Sequence, residues 1–262
     1  MDHPHHYRFI DTHCHFDFPE FDDDRHQVQQ NCLRWGIEKL LVPSVGASNW
    51  HKVLRLAEIN DFVEAGLGIH PCFLEAATSA DLTDLAGLLR QHRGEIVALG
   101  EIGLDRLIAT PLAKQYEFFN GQLALAFELG LPVIVHARRM NDEVLAALKR
   151  HRISRGVIHG FSGSLQQAEK YWSQGIRIGV GGVITYARAK KTRRAVAAMP
   201  LEALLLESDA PDMPLQGFQG QRNTPERIPL IFRALSDLRN EQEGELAAQL
   251  FQNSLDAFFS DA

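Results

Sequence analysis

Cysteine is scarce in this chain: Cys14, Cys32 and Cys72 are the only three in 262 residues, and no two stand in a Cys-x-x-Cys pair. An odd, unpaired set excludes a disulfide framework or a zinc knuckle and points to a reducing compartment. No apolar run reaches the roughly 18 residues that a membrane-spanning helix needs. The opening segment, Met1 to Tyr7, lacks the apolar stretch of a secretory signal, so a cytoplasmic location is expected. Excess positive charge is missing too. With a net charge of −6, the surface as a whole lacks the basic footprint of a dedicated nucleic-acid-binding domain, and any polyanionic substrate must be held locally. Low-complexity tracts, Pro/Ser-rich spacers and short-period repeats are absent, which leaves no sign of a linker or a second domain.

What is present is an ordinary globular composition, 45% hydrophobic and 23% charged. The length is close to the roughly 250 residues of an eight-stranded α/β barrel. Short apolar runs alternate with amphipathic stretches from end to end, the pattern of repeated βα units around a parallel sheet. Strands are expected at residues 8–12, 38–45, 62–69, 96–101, 132–136, 156–159, 175–180 and 203–207, each rich in Val, Ile, Leu or Ala. Helices such as Leu112–Leu129 and residues 145–150 lie between them, and Gly130-Leu131-Pro132 reads as a helix stop. The expected fold is α/β, a single (β/α)8 TIM-type barrel over residues 1–262 with an extra C-terminal helix at 241–259. In that helix Leu246, Leu250, Leu255 and Phe258 form an apolar stripe expected to pack on the barrel exterior.

Barrel active sites lie at the C-terminal ends of the strands, and here apolar strands end abruptly in polar residues. The first leads into Asp11-Thr12-His13-Cys14-His15, and the third into His70-Pro71. The fourth ends at Glu101, the fifth at His136 and the sixth at His159, while Asp209 follows the eighth. His13 and His15, two apart on an extended strand, share a side and can chelate one ion, whereas Cys14 faces the other way and is expected to be packed. A single rim histidine such as His136 or His159 reads equally well as a satisfied core residue. Four of them at converging ends point to a metal. Glu101 and Asp209 set carboxylates at the mouth of an apolar barrel, where a cation offsets the cost of burial. Taken singly, each also reads as half of a salt bridge.

Four imidazoles and two carboxylates exceed what one four-coordinate ion uses, so two divalent ions bridged by a carboxylate are expected, with Glu101 as the bridge. Nitrogen and oxygen donors without thiolate suit zinc, manganese or a similar ion, and magnesium stays open. His3, His5 and His6 precede the first strand and are set aside as a tail.

In this order the motifs Ile10-Asp11-Thr12-His13-Cys14-His15, Gly68-Ile69-His70-Pro71, Gly100-Glu101-Ile102-Gly103-Leu104-Asp105, Leu131-Pro132-Val133-Ile134-Val135-His136-Ala137-Arg138, His159-Gly160-Phe161-Ser162-Gly163 and Glu207-Ser208-Asp209-Ala210-Pro211 span nearly the whole chain. The sequence resembles the TatD family of metal-dependent deoxyribonucleases, within the wider amidohydrolase-like group of metallo-barrels. The resemblance implies a dinuclear centre and hydrolysis of phosphodiester bonds, typically in DNA and often from a 3′ end. It places His13, His15, Glu101 and Asp209 around one ion and Glu101, His136 and His159 around the other, with His70 and Arg138 close by. It also implies that Asp209 orients or deprotonates the attacking water. The chain departs from the family at Arg106-Leu107, where an aromatic residue and a longer loop are common, and this bears on substrate fit. It also has Ser208 where Thr is commoner.

Arg138, two residues beyond His136, can fork a phosphate or make a surface salt bridge. His70 can bind phosphate, protonate a leaving oxygen or simply fill the rim. Arg188, Lys190, Lys191, Arg193 and Arg194 are the strongest local basic run, suited to a phosphate backbone or to a solvated face, and Tyr186 before them suits base stacking or core packing. DNA or another phosphoester is therefore the expected partner, with no membrane and no obligatory protein partner. Two other functions fit the same barrel. An amidohydrolase acting on a small amide, lactone or imide commonly bridges its metals with a modified lysine, and no lysine stands at the end of the fourth strand. A non-catalytic metal- or nucleic-acid-binding barrel is expected to have lost a ligand, and none is missing.

Overall fold

The structure, a computed structural model, describes residues 7–259, so His3, His5 and His6 lie outside the described residues. Short runs of Val, Ile, Leu and Ala form eight strands: β1 (Phe9–Asp11), β2 (Ile37–Pro43), β3 (Val63–Leu67), β4 (Ile96–Asp105), β5 (Val133–Arg138), β6 (Gly156–Ile158), β7 (Ile176–Val180) and β8 (Leu204–Leu206). They lie side by side in chain order and pair in parallel, as right-handed crossovers through helices dictate. The helices are α1 (Arg25–Arg34), α2 (Trp50–Glu58), α3 (Ser79–Gln91), α4 (Leu112–Leu129), α5 (Asn141–Arg150), α6 (Leu165–Trp172), α7 (Lys190–Ala198), α8 (Ile228–Ser236) and α9 (Glu243–Phe258). The ring closes where the Thr12 N–H donates to the Leu206 carbonyl at 3.0 Å, and Cys14 bridges Ala210 just beyond. The fold is the expected (β/α)8 barrel with an additional C-terminal helix. As anticipated, α4 stops at Gly130, whose φ of 68° is cheap only without a β-carbon.

Alternation along the strands sorts the apolar residues into two layers. Leu40 and Val42, Leu99, Val133 and Val135, Ile158, Leu204 and Leu206 face the helices. Leu41, Ala98, Ile134, Val157 and Leu205 face the barrel interior. Ala257 and Phe258 of α9 join that interior group, and Phe259 lies under Lys39 near the start of β2. The stripe of α9 is thus corrected in part. Leu246 and Leu250 pack against the outer core as expected, Leu255 is half-buried, and Phe258 plugs the barrel at the end remote from the polar strand exits.

The largest difference from the expected strands is in β4, which runs to Asp105 rather than to residue 101. Its register against β5 shifts between Leu99 and Ile102. Strict alternation from the inward Ala98 would send Glu101 outward with Leu99. The irregularity adds one step, so Ile102 and Leu104 now face the helices and Glu101, Gly103 and Asp105 share the interior side. Gly103 is required there: its φ is 151°, and a β-carbon would lie 2.0 Å from the His136 carbonyl oxygen.

Candidate metal centre

Each polar strand exit delivers its side chain to one face of the barrel. His13 and His15 follow β1, held by the Asp209 N–H on the His13 carbonyl and the His15 N–H on the Ala210 carbonyl, both 2.8 Å. The His13 ring stacks on His159 at 3.9 Å and the His15 ring on Phe18 at 4.7 Å, which fixes where their nitrogens point. His70 lies just past β3, Glu101 within β4, His136 within β5, His159 just past β6 and Asp209 just past β8.

Glu101 stands at the centre, only 2% exposed. Its Oε2 is 3.3 Å from His13 Nε2 and 3.5 Å from His15 Nε2. Its Oε1 is 2.7 Å from His159 Nε2, 3.2 Å from His136 Nδ1 and 3.2 Å from His70 Nε2. Asp209 Oδ1 lies 3.5 Å from His13 Nε2 and 4.0 Å from His15 Nε2. His136 Nδ1 and His159 Nε2 are 3.1 Å apart. The structure therefore brings together all six residues expected as ligands, and His70 with them. Arg138 stands apart: its side chain is 58% exposed and its nearest acidic atom is Asp105 Oδ2 at 3.8 Å.

Lone-pair atoms packed this closely repel one another unless a proton or a cation lies among them. Ligands bonded at about 2.0–2.2 Å in a tetrahedron stand roughly 3.3–3.6 Å apart, the spacing found around Glu101 Oε2. Three overlapping sets of donors have the spacing of ligands around an ion: His13, His15 and Asp209; His13, Glu101 and His159; and His70, Glu101 and His136, the last only once His70 gives up its Nε2 proton. The residues present thus fit divalent ions held by nitrogen and oxygen. Cys14 is fully buried in the outer core, packed as expected and away from these donors.

Burial opposes charge on Glu101, yet His159, His70 and His13 hold its carboxyl well below the ordinary range. Burial also opposes a charged His159, but Glu101 and Asp209 beside it raise it to about 10. His13, desolvated and next to His159, is pushed well below its usual value. His70 Nδ1 accepts the Cys72 N–H at 3.1 Å, so the proton of the neutral ring sits on Nε2, facing the site.

Several buried carboxylates have no role predicted from the sequence. Asp105 Oδ2 is 3.2 Å from His136 Nε2, and its Oδ1 accepts the Leu107 N–H at 2.7 Å. A carboxylate behind a histidine sets its tautomer and aims the other nitrogen, here His136 Nδ1 toward Glu101. The signal was available, because residues 101, 103 and 105 share one side of an extended strand, but only if β4 continues past Glu101. Glu207, wholly buried, accepts the Gly160 N–H through Oε1 at 2.5 Å. Its Oε2 fills the space at Gly179, where a β-carbon would lie 2.2 Å away, and burial raises its carboxyl to about 8. Asp11 Oδ1 accepts the N–H groups of His13 and Ser208 at 3.2 and 2.9 Å and so ties together the exits of β1 and β8.

A family model described as TatD related DNase matches residues 10–259. The chain belongs to the TatD-related DNase family. Among its TatD relatives is the metal-dependent hydrolase YjjV of Escherichia coli (strain K12), 48% identical over 253 residues that cover 96% of this chain and 98% of that protein. The crystal structure of that TatD homolog superposes with a TM-score of 0.94 at 47% identity, covering 97% of this chain and 99% of the other. The 3′-5′ ssDNA/RNA exonuclease TatD of Erwinia tasmaniensis is 32% identical over 248 residues, covering 90% and 93%. Outside the TatD proteins, N-acetyl-D-glucosamine-6-phosphate deacetylase from Mycobacterium smegmatis shares the fold alone, with a TM-score of 0.62 at 13% identity. The chain is a metal-dependent hydrolase of the TatD family. No helix among the described residues is long and apolar enough to cross a membrane.

Substituting Asp105→Asn in this TatD protein removes the charge behind His136 while keeping its size. Metal affinity is expected to fall by about 10- to 100-fold, as measured by competition with a chelator of known affinity. An unchanged affinity would show that His136 is aimed without Asp105.

Proposed function

We propose that this chain is a divalent-metal-dependent phosphodiesterase that shortens single-stranded DNA from its 3′ end, with residues 1–262 acting as one hydrolase domain. The observation that carries the reading is Glu101, whose Oε2 serves His13 and His15 while its Oε1 serves His136 and His159. That division suits a carboxylate bridging two ions. The exonuclease name of the Erwinia relative supports phosphodiester chemistry on a nucleic acid.

When bound, two divalent ions would polarise a phosphate oxygen and lower the pKa of water. The chain supplies the rest. Asp209, half-buried at the mouth, orients the attacking water and accepts its proton. His70 presents the Nε2 proton to the phosphate or to the leaving oxygen. Arg138, exposed on the same rim, reaches a phosphate with its planar fork. Asp105 keeps the His136 ring from turning, and the apolar floor of Leu41, Ile134 and Leu205 excludes water from below.

The deciding experiment is hydrolysis of a 3′-labelled single-stranded oligonucleotide by metal-loaded protein, beside a panel of simple amides and lactones. Metal-dependent shortening from the labelled end is the expected result. Intact DNA together with turnover of an amide or lactone would replace this reading with a small-molecule amidohydrolase.

Metal binding should also depend on pH. Glu101 and Asp209 raise His159 to about 10, and an imidazole must be neutral to ligate, so each binding event there displaces a proton. Affinity is expected to rise about tenfold per pH unit as pH increases between roughly 7 and 10. The sign follows from the raised value: the proton held by the folded metal-free state competes with the ion, and it is lost as pH rises. Calorimetry in buffers of different ionisation enthalpy reads the released proton directly. Affinity independent of pH across this window would mean that His159 does not ligate.

A further inference from the structure

The loops that follow β7 and β8 enclose a cavity of about 350 Å³ lined by Val183, Tyr186, Arg188, Ala189, Met213 and Pro214. Resting on the phosphodiesterase reading, we infer that this cavity holds the nucleobase of a nucleotide adjoining the scissile phosphate. Its size lies at the lower end of small-ligand sites, and most of its wall is apolar, as such sites are. Its one charged group, the Arg188 guanidinium, lies 4.9 Å over the Tyr186 ring. A planar cation on an aromatic ring offers the flat, polarisable face on which bases of any sequence stack.

The cavity is built in advance. The Tyr186 hydroxyl donates to the Pro214 carbonyl at 2.6 Å, the Gln216 N–H donates to Thr185 Oγ1 at 2.9 Å, and the Ala187 N–H donates to Gln216 Oε1 at 3.3 Å. These bonds lace the two loops together. Met213, on the rim, is 41% exposed and adopts a φ of 54°. A large apolar side chain in the left-handed region is held there against its own preference, and such outliers cluster where a surface contacts a ligand.

Position and charge select a nucleotide over other apolar ligands. Met213 follows Asp209 by four residues, so extended chain places its Cα within about 14 Å of the Asp209 Cα, a span that the nucleoside next to a bound phosphate can bridge. Beside the cavity the basic run divides. Arg193 is half-buried and donates to the Ile184 carbonyl, which removes it from the phosphate-binding set considered in the sequence. Arg188, Lys190, Lys191 and Arg194 are exposed, and no ion pair joins them to an acid among the described residues. Arg188 at the slot and three exposed cations on the chain that follows it, in a chain of net charge −6, match a polyanion that carries flat bases.

The test uses metal-loaded protein and two variants, Arg188→Ala and Met213→Gly. The second relieves the left-handed backbone at Met213, so it is not expected to harm folding. Oligonucleotides with an abasic site at one of the three 3′-terminal positions are compared with intact ones. Calorimetry compares thymidine 5′-monophosphate with 2-deoxyribose 5-phosphate. Wild type is expected to favour the base-bearing partner at least about fivefold, in kcat/KM at one position and in binding. In both variants that ratio should fall toward one. Equal handling of base-bearing and abasic partners by wild type would overturn the subsite, as would variants that weaken both partners alike and keep the ratio. If no oligonucleotide is shortened, the phosphodiesterase reading fails, and the calorimetric ratio still decides what the cavity binds.

Discussion

Glu101→Ala is expected to empty the metal centre and bring hydrolysis to background. Both carboxylate oxygens are engaged, Oε2 at 3.3 and 3.5 Å from His13 and His15 and Oε1 at 2.7 and 3.2 Å from His159 and His136, so one truncation strips a donor from both sides of the site. Charge works in the same direction. Glu101 is the anion that stabilises the surrounding imidazolium groups, and without it a cation entering the cluster meets five histidines, with Asp209 the one carboxylate left among the expected ligands. Lewis-acid stabilisation of about 4 kcal/mol corresponds to roughly three orders of magnitude in rate, which sets the least loss expected. The checks are metal content by elemental analysis after dialysis and turnover of the labelled oligonucleotide. Wild-type metal content in the variant would remove Glu101 as the bridge. Glu101→Gln, which keeps the shape and one acceptor oxygen, should retain some metal and so separates loss of charge from loss of packing.

Asp209→Asn carries the second large effect and has a different signature. Asparagine keeps an oxygen where Asp209 Oδ1 now lies, 3.5 Å from His13 Nε2, while His13, His15 and Glu101 are untouched. Metal content is therefore expected to stay near that of wild type. An amide does not accept the proton of the attacking water, so kcat should fall by about 10²- to 10⁴-fold with KM little changed. The native carboxyl is raised by burial, against the pull of His159 and His15, which favours a group that takes up a proton over one that is merely a fixed charge. Loss of metal in proportion to activity would make Asp209 a ligand with no base role. An unchanged kcat would remove it from the chemistry.

The barrel was legible because its strands are buried on both sides and therefore read as separate apolar runs. The site was legible because those runs break off into His13, His15, His70, His136, His159 and Asp209, all at the end where strands converge. Asp105, though part of a quoted motif, has no role predicted from the sequence, for a local reason. The apolar run that predicts this strand ends at Glu101, so the pattern assigns no face to the carboxylate two alternations further on. Arg193 leaves the set of exposed cations because a basic run in sequence does not tell which member turns inward to cap a carbonyl.

By itself the sequence determined the eightfold βα order, the donor types and their placement at strand exits, since each follows from local periodicity and residue chemistry. Only the tertiary structure decided which way Glu101 faces, because a register shift against β5 is a property of two strands and reverses the side of every residue after it. It likewise decided that His70 joins the Glu101 cluster, that Asp105 backs His136, and that Phe258 enters the barrel floor. Each of these depends on the distance between residues far apart in the chain, which closure of the ring sets and local pattern does not.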